Sequence, residues 1–333
     1  MRLYLKWLAM LVVLCVAAAI GWFGWFVITP LALANAPLDV SIDTGSTMTS
    51  VSRQLADAGV PFAPWQFTLL ARLKGQTAAV QAGSYELESG VTPLQLLRRL
   101  TRGDVTQADM ALIEGWTFKQ LRAAIDQHPG LKHDTQAMSE RDILAAIGAD
   151  EKSAEGLFFP DTYLFSKHSS DLELLKRAYR AMKIHLEQQW AHRDADLPYA
   201  DSYQALIAAS LVEKETGVAA DRALVAAVFV NRLKSGMLLQ TDPTVIYGMG
   251  SAFDGNLRKD DLMRDTAYNT YRRAGLPPTP IALPGLASIQ AAVRPAKSDH
   301  LYFVARGDGS SEFSRTLEDH NRAVMRYQKR KLN

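Results

Sequence analysis

SYQALIAASLVEKETGVAADRALVAAVFVNRLKSGMLLQ, residues 202–240, carries the one carboxylate around which the chain is organised. Its first part predicts a helix over residues 203–216. At about 100° of rotation per residue, Ile207, Ala208, Leu211 and Val212 gather on one side, and Glu215 falls in the middle of that arc. Glu213 points nearly the opposite way, with Ala209 and Ser210, since residues two apart do not share a helix face. Leu206 lies on the Glu213 side and blurs the pattern. Most glutamates are solvated, but a helix's negative end disfavours a carboxylate, and Gly217 is the expected C-cap here. An acid on an apolar arc at such an end should have a raised pKa, which suits a general acid working near neutral pH. Glu213 is the competing candidate.

Downstream, Asp221 is expected to cap a second helix over residues 222–233, with Asn231 and Arg232 at its end and Gly236 stopping it. Residues 239–248, LQTDPTVIYG, read as an ordered loop, because polar residues precede Pro243 and a Tyr-Gly pair follows. Residues 268–271 (YNTY) and 275–281 (GLPPTPI) read likewise. Residues 301–305, LYFVA, predict a buried strand, and residues 314–330 a closing helix. Among these loops Gln240, Thr241, Asp242, Asn269 and Tyr271 are the candidate substrate contacts, against the commoner role of loop polar residues as structural hydrogen-bonders.

Upstream, residues 155–163 read EGLFFPDTY. Aromatic runs are usually core, but Asp161, Thr162 and Tyr163 beside a proline turn also suit a wall on which sugar rings stack. Thr117 and Ser139 begin predicted helices ending near Asp126 and Ile147, and a long amphipathic helix covers residues 171–190. Between residues 38 and 106, strands at 38–42 and 83–87 bracket helices at 50–58 and 64–73, and a further helix over 94–100 ends before Gly103. That order is LysM-like, an analogy of fold alone. Arg98, Arg99 and Arg102 are read as a solvated helix face that could attract anionic polymer.

The chain's 333 residues exceed what one core usually organises. Residues 7–28 are uncharged and long enough to cross a bilayer. Arg2 and Lys6 precede them, and no basic residue follows until Arg53, which places residues 1–6 in the cytoplasm and the body outside. The small-x-small triplets at 32–34 and 34–36 leave a cleaved signal as the rival, but its apolar core would be shorter. Gly21 and Gly24 do not form a GxxxG pairing motif, so no anchor-driven dimer is expected. The net charge of +2 comes from Arg2 and Lys6, and a neutral body argues against nucleic-acid binding. Cys15, the only cysteine, lies in the apolar run, so the body has no disulfide or Cys nucleophile. The seven histidines are scattered, and no metal or cofactor is expected.

EKET at 213–216, NRL at 231–233, LQTDPT at 239–244, YNTY at 268–271, GLPP at 275–278, PAK at 295–297 and LYFVA at 301–305 occur in one order. With EG at 155–156 and FPDTY at 159–163, the chain resembles the YceG-like family. The resemblance implies an α+β chain: a transmembrane anchor at 7–28, a LysM-like α+β module at 38–106, and a larger YceG-like catalytic domain at 107–333. It further implies a lytic transglycosylase of the inner membrane with a periplasmic body, cutting the MurNAc-β-1,4-GlcNAc bond of nascent peptidoglycan and leaving 1,6-anhydro-MurNAc ends. The second glutamate of EKET, Glu215, matches the family's catalytic acid. Leu283, where members often carry Asn or Thr, and Ser310–Phe313, which lacks a His before the Phe, depart from the pattern. Two other classes remain: a non-catalytic glycan-binding scaffold for cell-wall synthases, and a hydrolase using Asp242 or Asp161 as a second acid. Cell-wall synthases are candidate partners.

Overall fold

The computed structural model describes residues 2–328 other than 35 and 44. The expected end of the closing helix at Arg330, and Asn35 of the second small-x-small triplet, lie outside them. The chain divides into two compact units. The first holds residues 1–109, 130–132 and 164–169, and the second holds the rest.

In the first unit α1 (Arg2–Ile28) leads to β1 (Leu38–Ile42), α2 (Met48–Asp57), α3 (Pro64–Leu73), β2 (Gly83–Leu87) and α4 (Pro93–Arg102). Residues 4–28 of α1 are long and apolar enough to cross a membrane. β1 and β2 pair antiparallel with Val40 opposite Tyr85. Alternation turns Val40, Ile42, Tyr85 and Leu87 inward, onto Val51 and Leu55 of α2, Phe67 and Leu70 of α3, and Leu96, Leu97 and Leu100 of α4. Each such side chain contributes roughly 1.5–3 kcal/mol on burial. Local signals set the helix ends. Thr92 and Gln95 form a capping box around Pro93, and Gly103 closes α4 in the left-handed region at φ 70°.

Short paired strands follow, β3 (Gln107–Ala111) with β5 (Thr162–Ser166) and β4 (Leu131–Lys132) with β6 (Ser169–Ser170). The second unit adds α5 (Phe118–Asp126), α6 (Glu140–Ile147), α7 (Asp171–Ala191), α8 (Ser202–Glu215), α9 (Ala219–Lys234), α10 (Asp242–Met249), α11 (Lys259–Met263) and α12 (Leu286–Val293). The antiparallel pair β7 (Tyr302–Ala305) and β8 (Ser311–Ser314) precedes α13 (Leu317–Tyr327). Ser139 caps α6 as expected, and Thr117, read as the first residue of its helix, is the N-cap of α5.

The centre of this unit is α8. Residues 205–212 are all buried, with α7, α9, α10 and α12 packed around them. The helix is therefore apolar all round, rather than amphipathic with one inward arc as its sequence suggested. That is why Leu206 fitted the arc so poorly.

Other expectations need correction. α8 ends in extended Thr216, and Gly217 takes no left-handed cap. Asp221 lies inside the first turn of α9, whose N-cap is Val218, and accepts from the Ser311 amide at 2.7 Å. The expected loop at 239–248 is helical from Asp242, because a proline in the first turn forgoes only an amide that would lack a helical partner anyway. β7 is half-buried, with only Val304 below a tenth exposed. The final helix starts at Leu317, since Ser314 ends β8. The aromatic run is core: Phe158 stacks on Phe118, Phe159 on His185, and Leu157 is buried.

Candidate active site

Glu215 stands at the C-terminal end of the buried α8, where the helix dipole opposes its ionisation. The neighbouring segment, residues 239–242, is tied down from two sides. From α9, the buried Arg232 donates through one terminal nitrogen to the carbonyls of Leu238 (3.2 Å) and Leu239 (2.9 Å), and through Nε to that of Leu301 (2.7 Å). Its guanidinium lies 5.1 Å from the centre of the Tyr302 ring. From the other side, the Gln240 amide donates to the Thr270 carbonyl (3.1 Å), and the Thr241 amide to the Thr270 hydroxyl (3.1 Å). Thr244 closes the turn, donating to the Thr241 carbonyl at 2.7 Å. Gln240 pays for this path with a left-handed backbone, φ 51°, in a residue other than glycine.

The result is that the buried Thr241 hydroxyl donates to Oε1 of Glu215. Part of Glu215 remains open to a cleft of about 540 Å³, but protein closely surrounds its carboxyl group. That burial pushes its pKa up to about 7. The Thr241 hydrogen bond works against the shift, the Asp242 carboxylate adds to it, and the Arg232 guanidinium opposes it. Tyr271, on the cleft wall, donates to Asp242 Oδ1 at 2.6 Å. Phe229, Tyr302, Phe303 and His320 supply apolar and aromatic lining. A half-open cleft with aromatic walls and one protonated carboxyl can bind a sugar chain and deliver a proton to a bridging oxygen.

Glu213 has a different setting. Its Oε2 accepts from the Gly285 amide at 3.0 Å, at the N-cap of α12, where a helix's positive end favours an anion. The same loop is fastened through Ser210, whose hydroxyl accepts from the Ile281 amide at 3.0 Å, and through backbone bonds of Leu283 with Gly115 and Trp116. Leu283 is fully buried, so this departure from the family pattern is a core side chain rather than a cleft contact.

Of the sequence-predicted residues, the structure gathers Glu215, Gln240, Thr241, Asp242 and Tyr271. Thr241 is buried and meets Glu215 without lining the cleft, and three others lie apart from it. Asn269 is fully buried; its side chain donates to the carbonyls of Leu262 (3.0 Å) and Arg264 (2.6 Å) and accepts from the Tyr271 amide (2.9 Å). Tyr163 is buried, donating to the Phe159 carbonyl at 2.8 Å, and the exposed Asp161 accepts from the Thr162 amide at 2.7 Å. Their proline turn shapes core packing instead of a sugar-stacking wall. Arg232, Tyr302 and His320 were missed. Arg232 sat in the NRL motif as a helix-end residue, and nothing in its spacing announced three carbonyl partners.

A second acid, Glu155, is also raised to about 7, chiefly by burial. Its oxygens are taken by the Phe118 amide (2.9 Å) and the Tyr247 hydroxyl (3.0 Å), and it lines a separate cleft of about 350 Å³.

The YceG-like family profile matches residues 40–326. An endolytic murein transglycosylase of Bacillus subtilis (strain 168) is 31% identical over 315 residues, covering 87% of this chain and 84% of its own. One from Streptococcus pneumoniae serotype 2 is 28% identical over 365 residues, covering 98% of this chain and 66% of its own. A crystal structure of a yceG-like protein from Listeria monocytogenes superposes with a TM-score of 0.54 at 29% identity, covering 85% of this chain and 97% of that one.

Proposed function

This chain belongs to the YceG-like family, and on that premise we propose that it is an endolytic peptidoglycan lytic transglycosylase with Glu215 as its general acid and then base. Relatives that align over most of its length bear the name endolytic murein transglycosylase. The observation that carries the reading is the Glu215 carboxyl, held protonated to about pH 7 at the edge of an aromatic-lined cleft.

In the proposed reaction the strand lies across Arg232, Tyr302 and Tyr271 with a MurNAc-β-1,4-GlcNAc linkage at Glu215. The carboxyl proton passes to the glycosidic oxygen, the bond from that oxygen to the MurNAc anomeric carbon breaks, and oxocarbenium character develops there. Glu215, now a carboxylate, takes the proton of the same sugar's C6 hydroxyl as that oxygen attacks, closing the 1,6-anhydro ring and restoring the acid. An internal nucleophile needs no second carboxylate to position water, and proximity supplies what activation would otherwise have to.

Residues 7–28 act as a retained anchor in the inner membrane, the N-terminus is cytoplasmic, and the body is periplasmic beside nascent strands. Residues 38–106 form a LysM-like module and residues 107–333 the catalytic domain, with cell-wall synthases as partners. Digestion of purified glycan strands, followed by mass analysis, tests the activity. Wild type releases anhydro-ended fragments and folded Glu215→Gln releases none. Products heavier by one water would assign a hydrolase, a reading that Asp242 in the same cleft keeps specific. No cleavage by wild type would leave the non-catalytic scaffold.

A further inference from the structure

α3 presents an apolar stripe to the outside of the first unit. Trp65, Leu69 and Leu73 follow one another at four-residue spacing, so they share a face, and they are 56%, 37% and 68% exposed. The opposite face, with Phe67, Leu70 and Ala71, is in the core. Arg72 and Lys74 are exposed at the end of the stripe. Left in water, three large apolar side chains in a row would be unfavourable for a ten-residue helix.

The first residue of this stripe, Trp65, meets the apolar helix α1. Trp65 stacks on Trp22 with ring centres 6.0 Å apart, and Phe62, just before α3, meets Phe26 edge-on at 6.4 Å. Phe23 and Val27 pack on the core of the same unit, and the Leu31 amide donates to the Val91 carbonyl at 2.9 Å. α1 is therefore held against the module by its last two turns. Phe26 and Trp22 lie two and six residues before the end of α1 at Ile28. At 1.5 Å per residue that is about 3 and 9 Å inside its outer end. The start of α3, where Phe62 and Trp65 touch a membrane span at that depth, stands at the level of the headgroups and upper acyl chains, where Trp is favoured and neighbouring Arg and Lys reach the phosphates.

We propose that α3 is a second membrane contact, with Trp65, Leu69 and Leu73 inserted in the outer-leaflet interface beside the anchor. The occupant of the exposed face is lipid. This rests on the reading of α1 as a retained membrane span. Its consequence is that the first unit is held against the bilayer by two points rather than swinging on one tether.

The single cysteine allows a direct test. The full-length protein is reconstituted in phosphatidylcholine–phosphatidylglycerol vesicles with a nitroxide high on the acyl chain. A polarity-sensitive fluorophore is placed on native Cys15, or, in a Cys15→Ser background, on Leu69→Cys, Leu73→Cys or the exposed α2 control Arg53→Cys. The expected result is blue-shifted emission and strong nitroxide quenching at 69 and 73, with neither at 53. Quenching by nitroxides deeper in the bilayer at Cys15, together with 69 and 73 behaving like 53, would overturn the proposal while leaving the anchor standing. Labels at 69 and 73 shielded from aqueous quencher but untouched by lipid nitroxides would mean that protein covers the stripe, which also overturns it. A Cys15 label out of reach of lipid nitroxides would remove the anchor, and this inference with it.

Discussion

The Thr241 hydroxyl donates to Oε1 of Glu215, joining the end of α8 to the start of α10. Because the bond is made to the ionised form, it restrains a pKa that burial raises. Thr241→Val removes the donor at nearly constant shape. The alkaline limb of the rate profile, where the proposed general acid loses its proton, should move up by about one pH unit. Initial rates of strand cleavage between pH 5 and 9 check this, and an unmoved limb would exclude Thr241 from setting the acid's strength.

Glu215 also links stability to pH. Folded, it keeps its proton to about pH 7, and unfolded only to 4.5. Between those values the folded chain binds the extra proton, so this group's contribution is full below the unfolded value and is lost as pH rises through the folded one. Glu215→Gln does not titrate. Relative to wild type it should gain stability between pH 4 and pH 8, by as much as ~3 kcal/mol. Glu155, present in both proteins, cancels from the comparison. Melting temperatures across that range read the difference, and parallel curves would contradict a buried, protonated Glu215.

Tyr247→Phe leaves one oxygen of buried Glu155 without its 3.0 Å donor. The expected loss is about 1–3 kcal/mol, larger at pH 8 than at pH 5, because the hydroxyl favours the charged carboxylate. Urea unfolding at the two pH values measures it.

Asn269→Ala should behave as a folding mutation. It removes three hydrogen bonds around a fully buried amide and should destabilise by about 2–4 kcal/mol. KM for glycan strands, taken well below the melting transition, should stay unchanged. Unaltered stability with a raised KM would return Asn269 to the substrate contacts.

The sequence was most legible where a local rule decides the structure. Ser139 caps the helix it was expected to cap, Thr117 stands at the start of the helix read from it, and α3 and β2 occupy the residues read for them. It was least legible where tertiary packing overrides period. α8 is buried all round, so the arc that singled out Glu215 reflects the end of a central helix rather than amphipathicity. The segment after Gln240 hid a helix because its proline was read as a turn signal. Arg232, Tyr302 and His320 reach the cleft from 17, 87 and 105 residues beyond Glu215 along the chain, on three different elements, and spacing along one strand or helix carries no trace of that meeting.

The central claim is that Glu215 holds its proton until substrate arrives. Infrared difference spectra of wild type against Glu215→Gln, recorded through a pH titration, isolate the carbonyl stretch of that one protonated carboxyl. The account predicts a band that disappears with a midpoint near pH 7. A midpoint near 4.5, the value of an ordinary solvated glutamate, would contradict it.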